Sequence, residues 1–161
     1  MEVIKSIIMD NKGRSPNIWV AAVGESHKAE LTDCDESDSW TVHPKSHNGD
    51  LVLFYHKNPD GGIKDIFEIT SEVNKEIAGD WTTRKYDFFA GMKRVARLSS
   101  PITFSEIKNY DALSNSQMVL MHMMGRFEVT EYWDSLYEII VEKNPGLKKK
   151  LSKFSPEKIC R

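Results

Sequence analysis

The sequence predicts an α+β fold: a small, mixed, barrel-like sheet of five to six strands with helices at its rim and C-terminus. Short stretches rich in β-branched and aromatic residues, each bounded by turn residues, dominate the first hundred positions. Apolar residues at helical spacing are concentrated in the last third of the chain. With 161 residues, 40% of them hydrophobic and 29% charged, the chain is long enough for one domain with its own core.

Five strands are predicted from these apolar stretches. They cover residues 17–23, 40–43, 51–56, 63–70 and 92–98. Pro59 and two following glycines lie between the third and fourth strands, where they favour a tight turn. The third and fourth strands are therefore expected to form a hairpin.

Three helices are predicted over residues 104–113, 117–124 and 130–142. Four apolar residues of the last one recur at positions i, i+3, i+4 and i+7: Trp133, Leu136, Tyr137 and Ile140. Thr130 is the candidate N-cap, and the Asn-Pro-Gly sequence at 144–146 ends the helix. Trp133, like Trp19 in the first strand, is expected in the core because large aromatic side chains dominate core burial.

The charge distribution divides the chain into a domain at residues 1–146 and a basic C-terminal tail at 147–161. From residue 143 onward there are seven basic side chains against Glu157 alone, so this stretch carries +6 and the first 142 residues carry −8. The tail is expected to be either a frayed helix or a tether. A negative body excludes a uniformly basic surface that grips any polyanion.

Two connections stand out. Residues 25–38 hold six carboxylates against Lys28, which predicts a mobile solvated loop or a short helix over the strands. Residues 71–89 are expected to form a loop, with four aromatic side chains: Trp81, Tyr86, Phe88 and Phe89. Loops carry function more often than cores do, so the second connection is a candidate binding element.

Several classes of protein are disfavoured by what the sequence lacks. It has no apolar run near 18 residues and no signal-peptide pattern, so we expect a cytoplasmic protein with no membrane partner. Cys34 and Cys160 are expected to be free thiols. Phosphate-loop, dinucleotide, serine-hydrolase and zinc-protease motifs are absent, and the five histidines do not pair at ligand spacing. No catalytic residue, cofactor or metal is therefore predicted.

Trp40 and Trp81 are the strongest candidates for ligand-binding residues. Trp40 follows the polar pair Asp38-Ser39, and Trp81 lies in the aromatic connection. Two indoles facing each other across a cleft would stack on a flat ring, which is worth about 1–3 kcal/mol per base. The alternative role for each tryptophan is packing in the core. The composition of the chain does not decide between stacking on a ligand and packing in the core.

The order of several short motifs resembles the EVE domain. Residues 40–42 match its tryptophan-led strand, 49–55 its G-D-x-V-x-F-Y strand, and 66–72 its I-x-E-V-x-S-E strand. Residues 85–95 are similar to its K-Y-P-Y-R-V segment, and Gly125 to its closing glycine. The resemblance covers roughly residues 17–142. Asp87, Phe89 and Ala90 depart from the proline and arginine of the family pattern, and the acidic segment before Trp40 is an insertion.

The resemblance implies a PUA-like fold, shared with YTH and ASCH domains, that binds nucleic acid by taking a modified, methylated base into an aromatic pocket. Carried over by position, it implies a base pocket of six residues: Trp40, Trp81, Thr41, Ser39, Asn17 and Tyr55. Because this chain lacks the arginine of the family pattern, four other basic residues are the candidate phosphate contacts: Lys85, Lys93, Arg94 and Arg97. The implied partners are modified DNA or RNA, with a nuclease or other effector as a further partner.

Two alternatives stay open. One is a nucleotide- or nucleoside-processing enzyme of the ASCH type, which requires a pocket residue of shifted pKa. Lys57 and Asp65 are the nearest candidates, and both are more typical of surface charges. The other is a protein-interaction module that uses residues 147–161 to hold its partner.

Overall fold

The computed structural model describes residues 15–57, 61–78 and 85–159. Within them the chain forms seven strands: β1 (Ile18–Val23), β2 (Glu36–Thr41), β3 (Leu51–His56), β4 (Gly62–Ile69), β5 (Asn74–Ala78), β6 (Lys85–Ile102) and β7 (Arg126–Glu128). The α-helices in the same residues are α1 (Glu25–Asp33), α2 (Phe104–Lys108), α3 (Gln117–Leu120), α4 (Trp133–Lys143) and α5 (Pro156–Ile159). None of the helices in these ranges is long and apolar enough to cross a membrane.

All seven strands belong to one mixed sheet, which confirms the predicted α+β class. The order is β2-β6-β4-β3-β1-β7, and β5 pairs with β6 off this path. β1 and β3 run parallel, whereas β3 and β4 form the expected antiparallel pair. The sheet is curled, but the pairing among the described strands does not close it into a barrel.

The prediction of a loop over residues 71–89 is wrong. Residues 74–78 form β5, and the chain re-enters the sheet at Lys85 to pair with it. β6 then continues for 18 residues, far beyond the predicted 92–98. Gly91 leaves room for the segments beside β6, because a Cβ there would lie 3.1 Å from Thr70 Oγ1 and 3.4 Å from the Ser37 carbonyl. Neighbouring strands therefore approach β6 closely on both sides.

The core lies on both faces of the sheet. Successive residues of β3 alternate between two buried clusters: Leu51 and Leu53 belong to one, Val52 and Phe54 to the other. This double burial explains why β3 is a continuous apolar run. Trp133 is fully buried in the first cluster and Trp19 is 4% exposed in the second, so both predicted core tryptophans are confirmed.

The helical predictions after residue 103 are right in kind but too long. The helix expected over residues 104–113 is limited to α2, and a 3-10 turn at Thr130–Tyr132 precedes α4. Thr130 is not the N-cap of α4, which begins after Tyr132. The Thr130 hydroxyl oxygen instead accepts a hydrogen bond from the Ile18 N–H at 2.9 Å, so this threonine fastens the helix to β1.

The segment after residue 146 packs into the same core as the strands, although the sequence suggests a frayed helix or a tether. Leu147, Leu151 and Phe154 are buried in the first cluster. Trp133 Nε1 donates to the Phe154 carbonyl at 2.6 Å. The lysines at 148–150 are exposed to solvent. Because the prediction of a tail relied on charge, these lysines outweighed the three apolar residues that anchor the segment.

The acidic segment adopts the helical alternative of its prediction. It forms α1, followed by β2, which begins four residues earlier than expected. Leu31 buries its side chain in the second cluster, so α1 lies on the face of the sheet opposite to Trp133.

Arg94 of β6 holds the C-terminal end of α1 on the sheet. Its Nη2 donates to the carbonyls of Leu31, Thr32 and Cys34 at 2.8, 3.2 and 2.5 Å. The last carbonyls of a helix have no partner within the helix, and a guanidinium offers five donors in a fixed fork. One buried cation therefore satisfies several carbonyls at the end of α1.

Asp65 of β4 is the counterion of this arrangement. It is buried, and it accepts hydrogen bonds from Arg94 Nη1, from Arg97 Nε at 3.2 Å and from His56 Nε2 at 2.6 Å. Burial raises the pKa of the Asp65 carboxyl, but the hydrogen bonds from His56 and Arg97 and the charge of Arg94 outweigh it. The net effect is a pKa below the ordinary value, so the carboxylate stays ionised.

Replacing Leu151 tests whether the C-terminal segment is part of the core. Leu151→Ala is expected to lower the free energy of unfolding by about 2–5 kcal/mol, since it removes a fully buried side chain. Urea unfolding followed by tryptophan fluorescence measures this. Lys150→Ala, at the adjacent exposed position, is the control; equal midpoints for the two variants would mean that the segment is a tether.

Replacing Arg94 tests the anchoring of α1. Arg94→Met is expected to cost about 3–5 kcal/mol, because it leaves buried Asp65 with fewer partners and frees the carbonyls of α1. Amide hydrogen exchange in α1 should accelerate more than in α4. Lys93→Met, at the exposed neighbouring position, is expected to stay within about 0.5 kcal/mol. Equal protection of α1 in both variants contradicts the anchoring.

The lowered pKa of Asp65 predicts a pH dependence. Its contribution to stability is complete above the ordinary aspartate pKa of about 3.9 and is lost as the pH falls through the lower folded-state pKa. Asp65→Asn is therefore expected to be less stable than the parent at pH 7, and the difference should shrink below pH about 3.9. Urea titrations at several pH values, with the exposed Glu72→Gln as control, measure it. A difference that does not change with pH would refute this account.

Candidate functional site

A pocket of about 260 Å³ opens on the α1 face of the sheet. Five elements and the end of β1 line it. The side chains are His27 and Glu30 of α1, Ser39, Trp40 and Thr41 of β2, Phe54 of β3, Phe89 of β6 and Arg126 of β7, next to residues 21–24. Three of the six residues expected in a base pocket are therefore brought together here.

Trp40 forms an aromatic wall of this pocket. It is half-buried, and its ring lies edge to face against Phe54 at a centroid distance of 6.0 Å and against His27 at 6.1 Å. β2 and β3 are separated in the sheet by β6 and β4, so the contact between Trp40 and Phe54 requires the sheet to curl. This curl brings one end of the sheet over its middle and creates the concavity.

Arg126 closes the pocket from the other end of the sheet. It lies on β7, and its Nη1 donates to the Val42 carbonyl, just beyond β2, at 2.6 Å. Its Nη2 lies 3.9 Å from Asp87 Oδ1 on β6. Arg126 therefore links the two ends of the open sheet. Arg126 was not among the predicted site residues, and its one signal in the sequence is a basic residue directly after Gly125.

The loop beside the pocket is organised by Asp50. This carboxylate is buried and accepts from the backbone N–H groups of Asn17 and His47, both at 2.9 Å, and from Trp19 Nε1 at 3.0 Å. His43, in the same loop, stacks on Trp19 with ring centroids 4.6 Å apart. The aspartate of the predicted G-D motif thus has a clear structural task.

The loop side of the pocket carries charges of both signs: Arg126 and Lys45 lie near Asp50, Asp87 and Glu128. Burial lowers the pKa of His43, the charges of Arg126 and Lys45 lower it further, and Glu128 opposes them. His43 and Arg126 also line a smaller cavity that shares Ala21 and Thr41 with the main pocket. The positive charge beside the pocket therefore comes from Arg126 and Lys45.

Two expected pocket residues lie elsewhere. Tyr55 packs against the cluster on the opposite face, because residues next to each other in a strand point to opposite sides and Phe54 points to the pocket. Burial raises the pKa of the Tyr55 hydroxyl. Asn17 precedes β1, where its backbone N–H binds Asp50, and it does not line the pocket. Trp81 lies outside the described residues.

The expected phosphate contacts also separate. Arg94 is committed to Asp65 and α1, and its side chain is only 11% exposed. Arg97 donates to Asp65 and to the Thr32 carbonyl. Lys93 is exposed on β6, and the side chain of Lys85 is not among those the structure describes. Arg94 is therefore used within the fold, whereas the Arg97 side chain is 42% exposed beside its contacts and stays a predicted phosphate contact.

Comparison with solved structures identifies the same fold in distant proteins. A hypothetical protein from Leishmania major superimposes with a TM-score of 0.62 at 20% identity, over 81% of this chain and 96% of that one. Human THYN1 protein, solved in complex with 5-methylcytosine containing DNA, gives a TM-score of 0.55 at 14% identity, over 76% and 96%. A mutant of the ZmASCH protein from Zymomonas mobilis gives 0.52 at 9% identity, over 78% and 98%. These likenesses show a PUA-like fold.

The sequence comparisons agree with the fold. No curated protein matches this chain. The model of the EVE domain, however, matches residues 17–142, which hold every strand and the helices α1 to α3 together with most of α4. The motif order that resembled this family is therefore confirmed over the same span, and the chain belongs to the EVE domain family.

Proposed function

We propose that this EVE domain binds nucleic acid and takes one modified, methylated base, flipped out of its strand, into the pocket beside Trp40. The observation that carries the proposal is an indole wall in a pocket of about 260 Å³. Pockets for drug-sized ligands span about 300–1,000 Å³. The volume here suits a smaller ligand, such as a single heterocycle.

The pocket lining combines the two kinds of contact that a base requires. Trp40, Phe54 and Phe89 offer apolar and aromatic surface. Stacking of a base on such a surface is worth about 1–3 kcal/mol, and a buried methyl group adds about 0.8 kcal/mol. Ser39, Thr41, Glu30 and Arg126 surround this surface with hydrogen-bonding groups that can pair with the edge of the ring.

The phosphate contacts in this proposal differ from those the sequence implied. Arg126 and the exposed Lys45 are the cations available to a phosphate on the loop side of the pocket, whereas α1 presents carboxylates on the other side. A phosphate backbone is attracted to the first side and repelled by the second. The strand is therefore expected to approach across β7 and the loop at residues 43–50.

The human THYN1 complex supports this proposal. That protein shares the fold and was solved with 5-methylcytosine containing DNA. A methylated cytosine in DNA is accordingly the first ligand to test, beside N6-methyladenine and the equivalent RNAs. Recognition of a flipped base costs a few kcal/mol for unstacking, least in a single strand, so single strands are the more sensitive probes.

The enzyme alternative gains no support from its two named residues. Asp65 is 1% exposed, which corrects the expectation of a surface charge, and its lowered pKa keeps it ionised at neutral pH beside two arginines. Lys57 is half-buried at the end of β3. Neither is among the described residues that line the Trp40 pocket. We therefore propose a binding domain.

Trp40→Ala tests the function directly. It is expected to weaken binding of an oligonucleotide carrying the preferred modified base by roughly 5- to 150-fold, the equivalent of about 1–3 kcal/mol of stacking. Fluorescence anisotropy with DNA and RNA single strands, with and without 5-methylcytosine or N6-methyladenine, measures this at one fixed salt concentration. Trp40→Phe should retain much of the binding because it keeps a stacking ring.

Tyr55→Phe is the matched control, since the structure places this tyrosine on the opposite face, and it should bind as the parent does. Trp81→Ala, made in parallel, tests the expectation that a second indole supplies the opposite wall. Thermal unfolding of each variant separates lost binding from lost fold. Weak binding that is equal for all strands and unchanged in Trp40→Ala would refute the proposal.

A further inference from the structure

We infer that Glu30 makes the Trp40 pocket select bases with an exocyclic amino group, of the cytosine or adenine type, over thymine and uracil. This inference rests on the proposed function and adds the class of base. It assigns a role to α1, the acidic segment that the sequence presents as a solvated surface. The geometry that carries it is the position of one carboxylate at the edge of an aromatic pocket.

One side chain contacts Glu30 at the pocket mouth, and a second anchors the helix that carries it. His27, one helical turn earlier, places its Nδ1 3.3 Å from Glu30 Oε2, and the His27 ring contacts Trp40. Both α1 residues line the pocket together with Trp40. Arg94 fixes the C-terminal end of α1 on the sheet, so the helix carries its carboxylate to a defined place.

A carboxylate at this place can only accept hydrogen bonds. It offers about four acceptor sites, and the contact with His27 uses one of them. The exocyclic amino group of cytosine or adenine is a donor and pairs well with a carboxylate. Thymine and uracil present a carbonyl oxygen at the corresponding position. This oxygen and the carboxylate are both acceptors, so no hydrogen bond could form between them.

The other polar group of the pocket strengthens the choice. Arg126 can only donate, and it lines the same pocket on the side of β7. Cytosine presents its amino donor next to the N3 acceptor, so an acceptor and a donor side chain meet complementary atoms. Thymine carries its only ring donor at N3, and its ring would have to shift to place that N–H against Glu30.

The expected selectivity is moderate. The Glu30 side chain is 66% exposed and that of His27 is 63% exposed, so both lie at the mouth of the pocket, where water weakens charge interactions. A deeply buried carboxylate would reject the wrong base more strongly. We therefore expect about a tenfold preference.

The test compares two DNA single strands that are identical except at one central position. One carries 5-methylcytosine and the other carries thymine. Both rings have the 5-methyl group, and they differ at the amino or carbonyl group of C4 and in the proton on N3. The parent protein is expected to bind the 5-methylcytosine strand about tenfold more tightly in fluorescence anisotropy at fixed salt. Glu30→Gln should reduce the preference to within about twofold, because an amide both donates and accepts.

Glu131→Gln is the control for charge. It makes the same chemical change at an exposed position that does not line the pocket. Its effect on both strands measures the general loss of one negative charge. Equal thermal unfolding midpoints for the parent and Glu30→Gln ensure that α1 remains in place.

The outcomes separate the inference from the proposed function. If Glu30→Gln keeps the parent's preference, or if the parent binds both strands equally while Trp40→Ala still abolishes tight binding, the inference is overturned and the proposed function stands. If neither strand binds in a way that depends on Trp40, the proposed function fails, and the inference fails with it. Loss of the preference in Glu30→Gln but not in Glu131→Gln supports the inference.

Discussion

The ion cluster of Asp65 with Arg94, Arg97 and His56 is the constraint on which the site depends. It joins β3, β4 and β6, and through Arg94 it reaches the C-terminal carbonyls of α1. Removing one member of a buried ionic cluster leaves the others unpaired, which makes such clusters sensitive to single substitutions. The helix that carries His27 and Glu30 lies over the sheet because this cluster and buried Leu31 hold it there.

A second constraint acts at the ends of the sheet. β2 and β7 lie at opposite ends of the strand order, yet Arg126 of β7 binds the carbonyl of Val42 just after β2. An open, strongly twisted sheet has two edge strands with unpaired backbone groups. A side chain that bridges the two edges limits how far they can move apart. Two arginines therefore shape the pocket in different ways: Arg94, away from the pocket, fixes α1 on the sheet, and Arg126, in the pocket lining, fixes the separation of the edges.

The sequence predicted the elements whose signal is local. The apolar run of β3 and the tryptophans of β1 and α4 follow from short-range patterns, and their burial agrees with the structure. The pocket role of Ser39, Trp40 and Thr41 came from the family resemblance, and all three line the pocket. What it did not predict depends on partners distant in the chain: Arg94 meets Asp65 across 29 positions and Leu31 across 63. A basic residue in a strand has the same local pattern whether it binds phosphate or a helix end. Likewise, only residues 92–98 of β6 were predicted, because its first residues lie in the aromatic connection expected to be a loop and Ser99-Ser100-Pro101 is typical of a strand end.

The acidic helix α1 reduces the attraction of this domain for phosphates, so that its binding depends more on contacts with the base. A basic reader gains most of its affinity from phosphates, a contribution that is independent of sequence. Here the chain carries a net charge of −2, and Arg94, one of the four expected phosphate contacts, binds Asp65 and the end of α1 instead. Under the proposed function, the contacts made by the base supply a larger share of the binding free energy. Selectivity is a difference between the affinities for two ligands. When attraction to the phosphate backbone is weak, stacking on Trp40 together with the acceptor Glu30 and the donor Arg126 can supply that difference.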